Sequence, residues 1–509
     1  MVSRHAGGDH ALGPALLEQP VGQAADGLVG RALAHADQDD AVADRHDVAA
    51  LDEGVLLVAL GGVEPDGELP GSKDTSLIHE FIKGKDSIFY TGLETDSNEN
   101  LEHMSRSIMK PPFGEGAAPV FPNFQEALDV VHERSLEQRL IFVIDEYPYL
   151  AASYRGFSSL LQTEIDHKFK DGKLFLILCG SSMSFMETQV LGYKSPLYGR
   201  RTAQMRIRPF GFFETCSFYR GFSFEDLAGI YGITGGVPQY LALMDDSLGL
   251  ADNIKKNFLD PSAYLFEEPG NLLKQEVREP AGYNAILRAI ATGSSKNAEI
   301  ASKVSMESSA CSAYLRNLIS LDILKKETPI TEKTSRRTLY SISDSMFRFW
   351  YRFIPNQMML IQNGLAERAY ERIEREFSAF MGWVFEDICK EYLWRRNAAG
   401  SLCVRFTEIG RWWGNDPIKR SEAEIDIVAP DGENAIFGEC KWTNDPISLA
   451  ELERLDERSR LLRFKNRHLF LFAKRGFSRG CRERAGEMRN VTLVPFTEFF
   501  SQEVAPSES

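Results

Sequence analysis

The chain has 509 residues, is 43% hydrophobic and carries a net charge of −15. This length predicts about three domains, and the composition is that of an ordinary globular protein. No apolar run approaches the roughly 18–20 residues of a transmembrane helix, and no secretory signal begins the chain, so we expect no membrane partner. Seven dispersed cysteines without a CxxC pair argue against a disulfide framework or zinc ribbon and indicate a cytoplasmic protein.

Residues 1–72 differ in composition from the rest of the chain. They contain thirteen acidic residues, three arginines and no Lys, Ile, Phe, Tyr, Trp, Asn, Thr or Cys. Without aromatic residues or Ile, a core is hard to pack to native density. The segment is either a disordered acidic extension or a stretch translated from a wrong frame or fused from unrelated coding sequence. Both interpretations predict that it lacks a stable core.

A nucleotide-type site is predicted where residues 140–144, a continuous apolar run, lead into Asp145 and Glu146. Such a run is typical of a buried parallel strand, and α/β sheets place ligand chemistry at the carboxyl ends of their strands. There Asp145 would hold Mg²⁺ and Glu146 would polarise the water that attacks a nucleotide. Apolar strands also end in acids by chance, so a purely structural role stays open.

Two further candidates follow along the chain. A second apolar run, 174–179, leads into Gly180, Ser181 and Ser182, and a small polar side chain such as Ser182 can contact the γ-phosphate. The same residues are also ordinary turn formers. Arg200 can stabilise charge in the transition state, within its own subunit or from a neighbouring one, or it can be a plain surface arginine.

The middle of the chain predicts helix, turn, helix over 286–326 and then a wing-like strand near 334–340. Modules of this type often insert a helix into the DNA major groove. Arg316, Arg336 and Arg337 are the candidate phosphate contacts, although a protein-docking role is equally open. The aromatic run 347–353 is expected to pack in a core rather than stack on bases.

The C-terminal third predicts a long helix over 370–395 and then a hairpin that turns at 430–432. Asp426 and Glu439 are about equidistant from that turn, and strand alternation places Glu439 and Lys441 on one face. Two carboxylates and a lysine are what metal-dependent phosphodiester cleavage requires. Cross-strand ion pairs are the structural alternative.

The order of these motifs, together with Gly-Gly-Val-Pro-Gln-Tyr-Leu at 235–241, resembles archaeal and bacterial P-loop ATPases of the AAA+/STAND superfamily over about residues 75–500. The D-x₁₂-E-x-K spacing is similar to that of PD-(D/E)xK nucleases. The resemblance implies Walker B acids at Asp145 and Glu146, a sensor strand ending near Ser182, and a turn near the adenine that contains Gly236 and Pro238. It also implies a supporting metal ligand at Glu386.

The fold implied is multidomain α/β: a P-loop NTPase-type parallel sheet, a helical lid, a winged helix and a C-terminal restriction-endonuclease-like α/β domain. The expected divisions are an aberrant segment (1–72), the ATPase core (73–220), the lid (221–280), the winged helix (281–355) and the nuclease-like domain (356–509). The expected cofactors are ATP and Mg²⁺, with Asp145, Glu386, Asp426 and Glu439 as metal ligands. DNA, a protein partner and an oligomer are the expected associations.

The sequence departs from this family at the phosphate-binding loop. The pattern G-x-x-x-x-G-K-[ST] falls on residues 68–75, where Thr75 fits but both glycines are missing and Asp74 replaces the lysine. A carboxylate repels phosphate, so weak or absent ATP binding and a core without its first strand are expected. Three functions remain: an ATPase-type switch, a metal-dependent nuclease with a degenerate ATPase region, and a non-enzymatic winged-helix scaffold.

Overall fold

The computed structural model describes residues 54–60, 73–113, 119–180, 185–186, 190, 192–332 and 337–500, of which 54–60, 73–76 and 110–113 are described by their backbone alone. The chain divides into two compact units, Met1–Arg208 and Pro209–Ser509. The expected end of the ATPase core at residue 220 lies beyond the first unit, and the expected domain divisions stay predictions. Residues 209–220 make their contacts within the second unit.

The first unit is built on a five-stranded sheet in the order β2-β3-β4-β1-β5, with every neighbouring pair parallel. Its strands are β1 (Gly54–Leu60), β2 (Ser87–Thr91), β3 (Leu140–Asp145), β4 (Leu174–Leu178) and β5 (Ala203–Ile207). Its helices are α1 (Lys73–Ile82), α2 (Ser97–Phe113), α3 (Phe124–Glu137), α4 (Tyr147–Ser153) and α5 (Phe157–His167). The predicted parallel sheet is confirmed.

Apolar side chains on both faces explain why this sheet forms. Every residue of β3 and β4 is buried. Phe142 and Ile144 point into one hydrophobic cluster, whereas Ile141 and Val143 point into another. Parallel sheets covered on both faces have continuous apolar strands rather than alternating ones, as residues 140–144 predicted.

The expectation that the core lacks its first strand is wrong. Residues Gly54–Leu60 form β1, which lies between β4 and β5. The composition of 1–72 as a whole concealed a short run, Gly-Val-Leu-Leu-Val-Ala-Leu, that has the apolar character of a parallel strand without needing aromatic residues. The expectation for the rest of 1–72 lies outside the described residues.

The second unit begins with helices that occupy the expected lid and winged-helix regions. They are α6 (Phe212–Cys216), α7 (Phe224–Thr234), α8 (Pro238–Ala242), α9 (Leu250–Phe258), α10 (Tyr264–Glu276), α11 (Pro280–Ala291), α12 (Asn297–Lys303) and α13 (Ser308–Ser320). A hairpin of β6 (Leu324–Glu327) and β7 (Leu339–Ile342) follows. Two long helices come next, α14 (Ser345–Gln362) and α15 (Ala366–Ala398).

Aromatic side chains join these long helices. Phe349 and Phe353 of α14 are buried and contact Phe380 of α15, with ring centroids 5.7 and 5.6 Å apart. The expectation that the run 347–353 packs in a core is confirmed. No helix among the described residues is both long and apolar enough to span a membrane.

The unit ends in a mixed sheet of order β12-β11-β10-β9-β8. Its strands are β8 (Gly410–Asp416), β9 (Ser421–Asp431), β10 (Asn434–Lys441), β11 (Asn466–Ala473) and β12 (Val491–Pro495). The first three pair antiparallel, and β10, β11 and β12 pair parallel. Helix α16 (Leu449–Ser459) connects β10 to β11, and α17 (Arg479–Glu487) connects β11 to β12.

Candidate functional site

Asp145 and Glu146 lie at the carboxyl edge of the first unit's sheet. Both are buried, with 6% and 7% of their surface exposed. Asp145 Oδ1 accepts a hydrogen bond from the Glu146 backbone N–H at 3.1 Å and another from the Cys179 thiol at 3.1 Å. Because β1 runs parallel to β4, the chain leaves β1 at this same edge and leads towards Thr75.

The backbone turns sharply at Glu146, which has φ 46° and ψ 44°. A residue other than glycine is strained in this left-handed region, and such strain is often found at functional sites. The turn needs room on both sides. A Cβ on Gly92 would lie 2.6 Å from the Glu146 carbonyl oxygen, and one on Gly180 would lie 2.4 Å from Pro148 Cδ. These two glycines therefore permit the close approach of β2 and β4 to the acidic turn.

The Arg200 guanidinium is hydrogen-bonded within this unit and is therefore not free for catalysis there. Its guanidinium donates two hydrogen bonds to the Asp166 carboxylate, both at 2.8 Å, and a third to the Pro196 carbonyl at 2.9 Å. The Arg200 guanidinium in turn lowers the pKa of Asp166. The adjacent Arg201 has a buried Nη1 with no hydrogen-bond acceptor among the described residues.

The other residues predicted to contact a nucleotide are Thr75, Ser182, Gly236 and Pro238. Thr75 lies in α1, but its side chain is outside the described residues, as is all of Ser182. Gly236 and Pro238 belong to the second unit. Gly236 has φ 72°, and a Cβ there would lie 1.9 Å from the Phe210 carbonyl oxygen, so only glycine fits. Pro238 is the first residue of α8. Their contact with adenine stays a prediction.

The second unit brings Asp426, Glu439 and Lys441 together. The β9–β10 ladder ends at the pair Ile427–Gly438, so Asp426 and Glu439 each lie one residue beyond its last pair. The Cys440 backbone N–H donates to Asp426 Oδ2 at 2.9 Å, and Lys441 Nζ lies 2.6 Å from Glu439 Oε1.

Glu386 on α15 approaches this group from the adjacent helix. Burial and the charge of Asp426 raise the pKa of Glu386 to about 8. Burial and the charge of Glu439 raise the pKa of Asp426 to about 6. Although burial opposes it, Glu439 raises the pKa of Lys441 and so keeps its ammonium group protonated. Closely spaced acids with strongly shifted pKa values are typical of functional sites.

The site fits a cation held by two carboxylates. Glu439 Oε2 is buried and has no hydrogen-bond partner, and Arg458 Nη1 lies 4.0 Å from it. No group of three or more His, Cys, Asp or Glu side chains suited to a metal was found in the described part of the chain. Mg²⁺ is commonly bound by one or two carboxylates, with waters and substrate phosphates completing its coordination. The three-acid ligand set that includes Glu386 therefore gains no geometric support.

The chain matches known proteins over both units. Residues 73–244 match the model of an ATPase domain predominantly from Archaea, and residues 350–457 match a family described as archaeal and bacterial proteins of unknown function. The uncharacterised protein MJECL04 of Methanocaldococcus jannaschii is 34% identical over 373 residues, which cover 72% of this chain and 80% of the relative. The chain belongs to the same family as this relative, and its residues 73–244 are an ATPase domain of a kind found predominantly in Archaea.

Two solved structures resemble parts of the ATPase. The Walker-type ATPase PABY2304 of Pyrococcus abyssi is 18% identical, with a TM-score of 0.46, and the match covers 61% of this chain and 96% of that protein. The ORC2 protein of Aeropyrum pernix is 13% identical, with a TM-score of 0.40, and that match covers 71% and 97%. Both are partial likenesses in fold.

Sequence reasoning missed Arg411 of this ATPase. This β8 side chain is 9% exposed, lies 3.5 Å from the Glu386 carboxylate and also pairs with Glu424. Its guanidinium carbon is 4.5 Å from the centroid of the Trp383 ring. The sequence predicted a metal-supporting role for Glu386 but no arginine partner for it. An arginine at the start of a strand carries no signal until the long helix is placed beside it.

The β6–β7 hairpin of the ATPase is docked on the edge strand β8. The Ile330 backbone N–H donates to the Arg411 carbonyl at 3.0 Å. Arg337 donates from its guanidinium to the Trp413 carbonyl at 2.9 Å, and the Trp413 indole N–H donates back to the Arg337 carbonyl at 3.0 Å. Arg337 also pairs with Glu332. The expectation that Arg337 contacts phosphate is therefore not supported, because its guanidinium is engaged within the chain.

The other two candidate phosphate contacts have separate outcomes. Arg316 lies exposed on α13, so its expected role stays a prediction. Arg336 is outside the described residues.

Proposed function

We propose that this ATPase is a nucleotide-responsive switch that acts on DNA through its second unit, and that its nucleotide affinity is weakened by the sequence at 68–75. The observation that carries the first part is the buried Asp145–Glu146 turn at the edge where β1, β3 and β4 end. Asp145 would hold Mg²⁺ and Glu146 would polarise water, which are the roles these residue types serve in P-loop ATPases. Mg²⁺ supplies charge neutralisation for the phosphates when it is bound.

The test compares Glu146→Gln and Asp145→Asn with the unchanged chain. If the site hydrolyses ATP, Glu146→Gln retains nucleotide binding but loses at least about a hundredfold in turnover, as is typical when a general base is removed. Asp145→Asn also loses the Mg²⁺ dependence of binding. Asp171→Asn, which makes the same chemical change at an exposed residue of the first unit, serves as the matched control. Hydrolysis that persists in Glu146→Gln would refute the assignment.

A second candidate function has its own observation. Asp426 and Glu439 at the end of the β9–β10 ladder, with Lys441 2.6 Å from Glu439, favour divalent-metal-dependent cleavage of a nucleic-acid phosphodiester. Glu439 Oε2 and the second Asp426 oxygen would be the metal ligands, and Lys441 would stabilise charge on the phosphate. In this proposal the helix–strand order α15-β8-β9-β10-α16-β11 serves as the nuclease-like fold that the sequence resembles.

We expect Mg²⁺- or Mn²⁺-dependent cleavage of DNA that both Asp426→Asn and Lys441→Ala abolish. Asp431→Asn, at the exposed end of the same strand, and Lys465→Ala, at an exposed site, are the matched controls and should cleave normally. Circular dichroism would establish that all four variants keep their fold. Equal cleavage by Asp426→Asn and the unchanged chain would exclude this site as its source.

A further inference from the structure

Two adjoining cavities in the second unit lie apart from the residues discussed so far. The first, of about 490 Å³, lies among α11, α14 and α15 and is lined by Arg352, Arg372 and Arg375. The second, of about 470 Å³, lies beside it and is lined by Trp350 and Pro355 among others. Thr292 lines both, so the two cavities adjoin at that residue. Each has the volume of a small-molecule site.

The first cavity is strongly cationic and its charge is poorly neutralised. The cavity is lined by three arginines and one acid, Glu376, which lies 2.7 Å from Arg352. Arg372 donates only to the neutral Gln357 side chain, at 3.4 Å. Arg375 is exposed and has no hydrogen-bond or ion-pair partner among the described residues. Two guanidinium groups therefore face the cavity without a counter-ion, in a chain whose net charge is −15.

The second cavity adds two more cations with neutral partners. Arg288 donates to the Asn356 side chain at 2.9 Å, and Lys303 donates to the Thr292 hydroxyl at 2.7 Å. The other acids of this part of α15, Glu371 and Glu374, line neither cavity. Paired arginines bind phosphate through parallel charge-assisted hydrogen bonds. An anion with phosphate geometry is therefore the ligand that these groups would hold best.

The rest of the second cavity is suited to a flat apolar ring. Trp350, Tyr351 and Pro355 line it together with the aliphatic side chains of Ala285 and Val304. The Asn284 amide also lines it, but its oxygen accepts from the Tyr351 hydroxyl at 2.6 Å and its nitrogen donates to the Pro280 carbonyl at 2.9 Å, so the ring contacts carry the argument. A phosphate group beside an aromatic ring is the chemistry of a nucleotide. Aromatic side chains bind bases by stacking in a manner that tolerates any sequence.

We propose that these cavities form a nucleotide-binding site, with phosphate at Arg372 and Arg375 and the base beside Trp350. The nucleotide is either free or one unit of a single strand, since both present the same chemistry. The site is distinct from Asp145 and from the Asp426–Glu439 pair, and its existence does not depend on either of the functions proposed above.

The test measures equilibrium binding to the full chain of AMP, a short fluorescein-labelled oligothymidylate, and inorganic phosphate. AMP is chosen because it lacks the β- and γ-phosphates that a P-loop holds. We expect AMP or the oligonucleotide to bind, and Arg372→Ala/Arg375→Ala to weaken binding about tenfold or more, since it removes both guanidinium groups that would hold the phosphate. Binding of AMP assigns a free nucleotide, and binding of the oligonucleotide alone assigns a strand.

A second variant tests the base site. Ala285 is exposed, so Ala285→Trp should fill the apolar cavity without disturbing the core. It should weaken nucleotide binding at least about tenfold, as expected when a stacking position is lost. Arg489→Ala removes an exposed arginine elsewhere in the unit and should bind like the unchanged chain.

Three outcomes would overturn the proposal. In the first, neither AMP nor the oligonucleotide binds. In the second, both bind the double arginine variant as tightly as they bind the unchanged chain. In the third, inorganic phosphate binds as tightly as the nucleotides and Ala285→Trp has no effect. Thermal melting of each variant, compared with the unchanged chain, separates loss of binding from loss of fold.

Discussion

At the residue scale, Glu391 is a half-buried glutamate whose carboxylate holds the start of α6. It accepts hydrogen bonds from the backbone N–H groups of Phe212 at 2.7 Å and Phe213 at 3.2 Å. Burial, and then the nearby charge of Glu214, raise the pKa of Glu391 to about 7. The carboxylate thus satisfies two donors at the beginning of a short helix, but its own charge is costly to bury.

This raised pKa predicts how the stability of the second unit changes with pH. Between the ordinary value of 4.5 and about 7, the folded chain keeps the Glu391 proton that the unfolded chain has lost. The Glu391 proton therefore contributes its full stabilisation below pH 4.5. As the pH rises through 7 this contribution is lost, and the free energy of unfolding falls by on the order of 3 kcal/mol. Glu391→Gln should flatten this dependence, as measured by urea unfolding at about pH 5 and about pH 8.

The control is Glu371→Gln, an exposed substitution on the same helix. It should retain the full decline of stability with pH. If Glu391→Gln and the unchanged chain decline in parallel, Glu391 is not the group responsible.

At the element scale, the β6–β7 hairpin covers an otherwise open sheet edge. β8 is the outermost strand, and exposed edge strands pair readily with other chains. Ile330 packs against the hydrophobic core of the C-terminal sheet. Gly410 leaves room for it, because a Cβ there would lie 2.9 Å from Ile330 Cδ1. The hairpin therefore stabilises the sheet that positions Arg411, and through it Glu386.

We predict that Ile330→Ala lowers the free energy of unfolding by roughly 1–3 kcal/mol, since the side chain is half-buried rather than fully buried. Amide hydrogen exchange should accelerate in both the hairpin and β8, because docking protects both. Ile418→Ala makes the same chemical change at a residue that is 87% exposed and should alter neither quantity. Faster exchange confined to the hairpin would show that β8 does not depend on it.

At the scale of the whole molecule, residues 68–75, which match the position of the P-loop pattern, follow β1 in the chain and include the first three residues of α1. Their sequence, however, places Asp74 at the lysine position. Restoring the pattern with Glu68→Gly, Lys73→Gly and Asp74→Lys should strengthen ATP binding at least about tenfold, which corresponds to about 1.4 kcal/mol. Isothermal titration calorimetry with Mg²⁺ present measures the change.

The matched control is Asp40→Lys, which makes the same charge change as Asp74→Lys but lies outside the motif. It should leave ATP affinity unchanged. Tight ATP binding by the unchanged chain would show that the departure at 68–75 does not impair the loop.

Much of both units could be predicted from local patterns. The apolar run before Asp145 specified a buried parallel strand, because only a sheet covered on both faces keeps such a run out of water. The turn at 430–432 specified the β9–β10 hairpin that brings Asp426 and Glu439 to the end of one ladder, since strands joined by a tight turn pair outward from it. The composition of residues 1–72, in contrast, did not predict β1, because the seven apolar residues of this strand are a small part of that segment.

What the sequence by itself determined were the motifs whose parts lie close together along the chain: the acidic turn, the hairpin and the aromatic run of α14. Only the tertiary structure decided which distant residues meet. It paired Arg200 with Asp166, placed Arg411 beside Glu386, turned Arg337 towards Trp413 and gathered arginines of two helices around one cavity. Long charged side chains have no periodic pattern that identifies their partners, so their roles are set by packing that the sequence alone does not reveal.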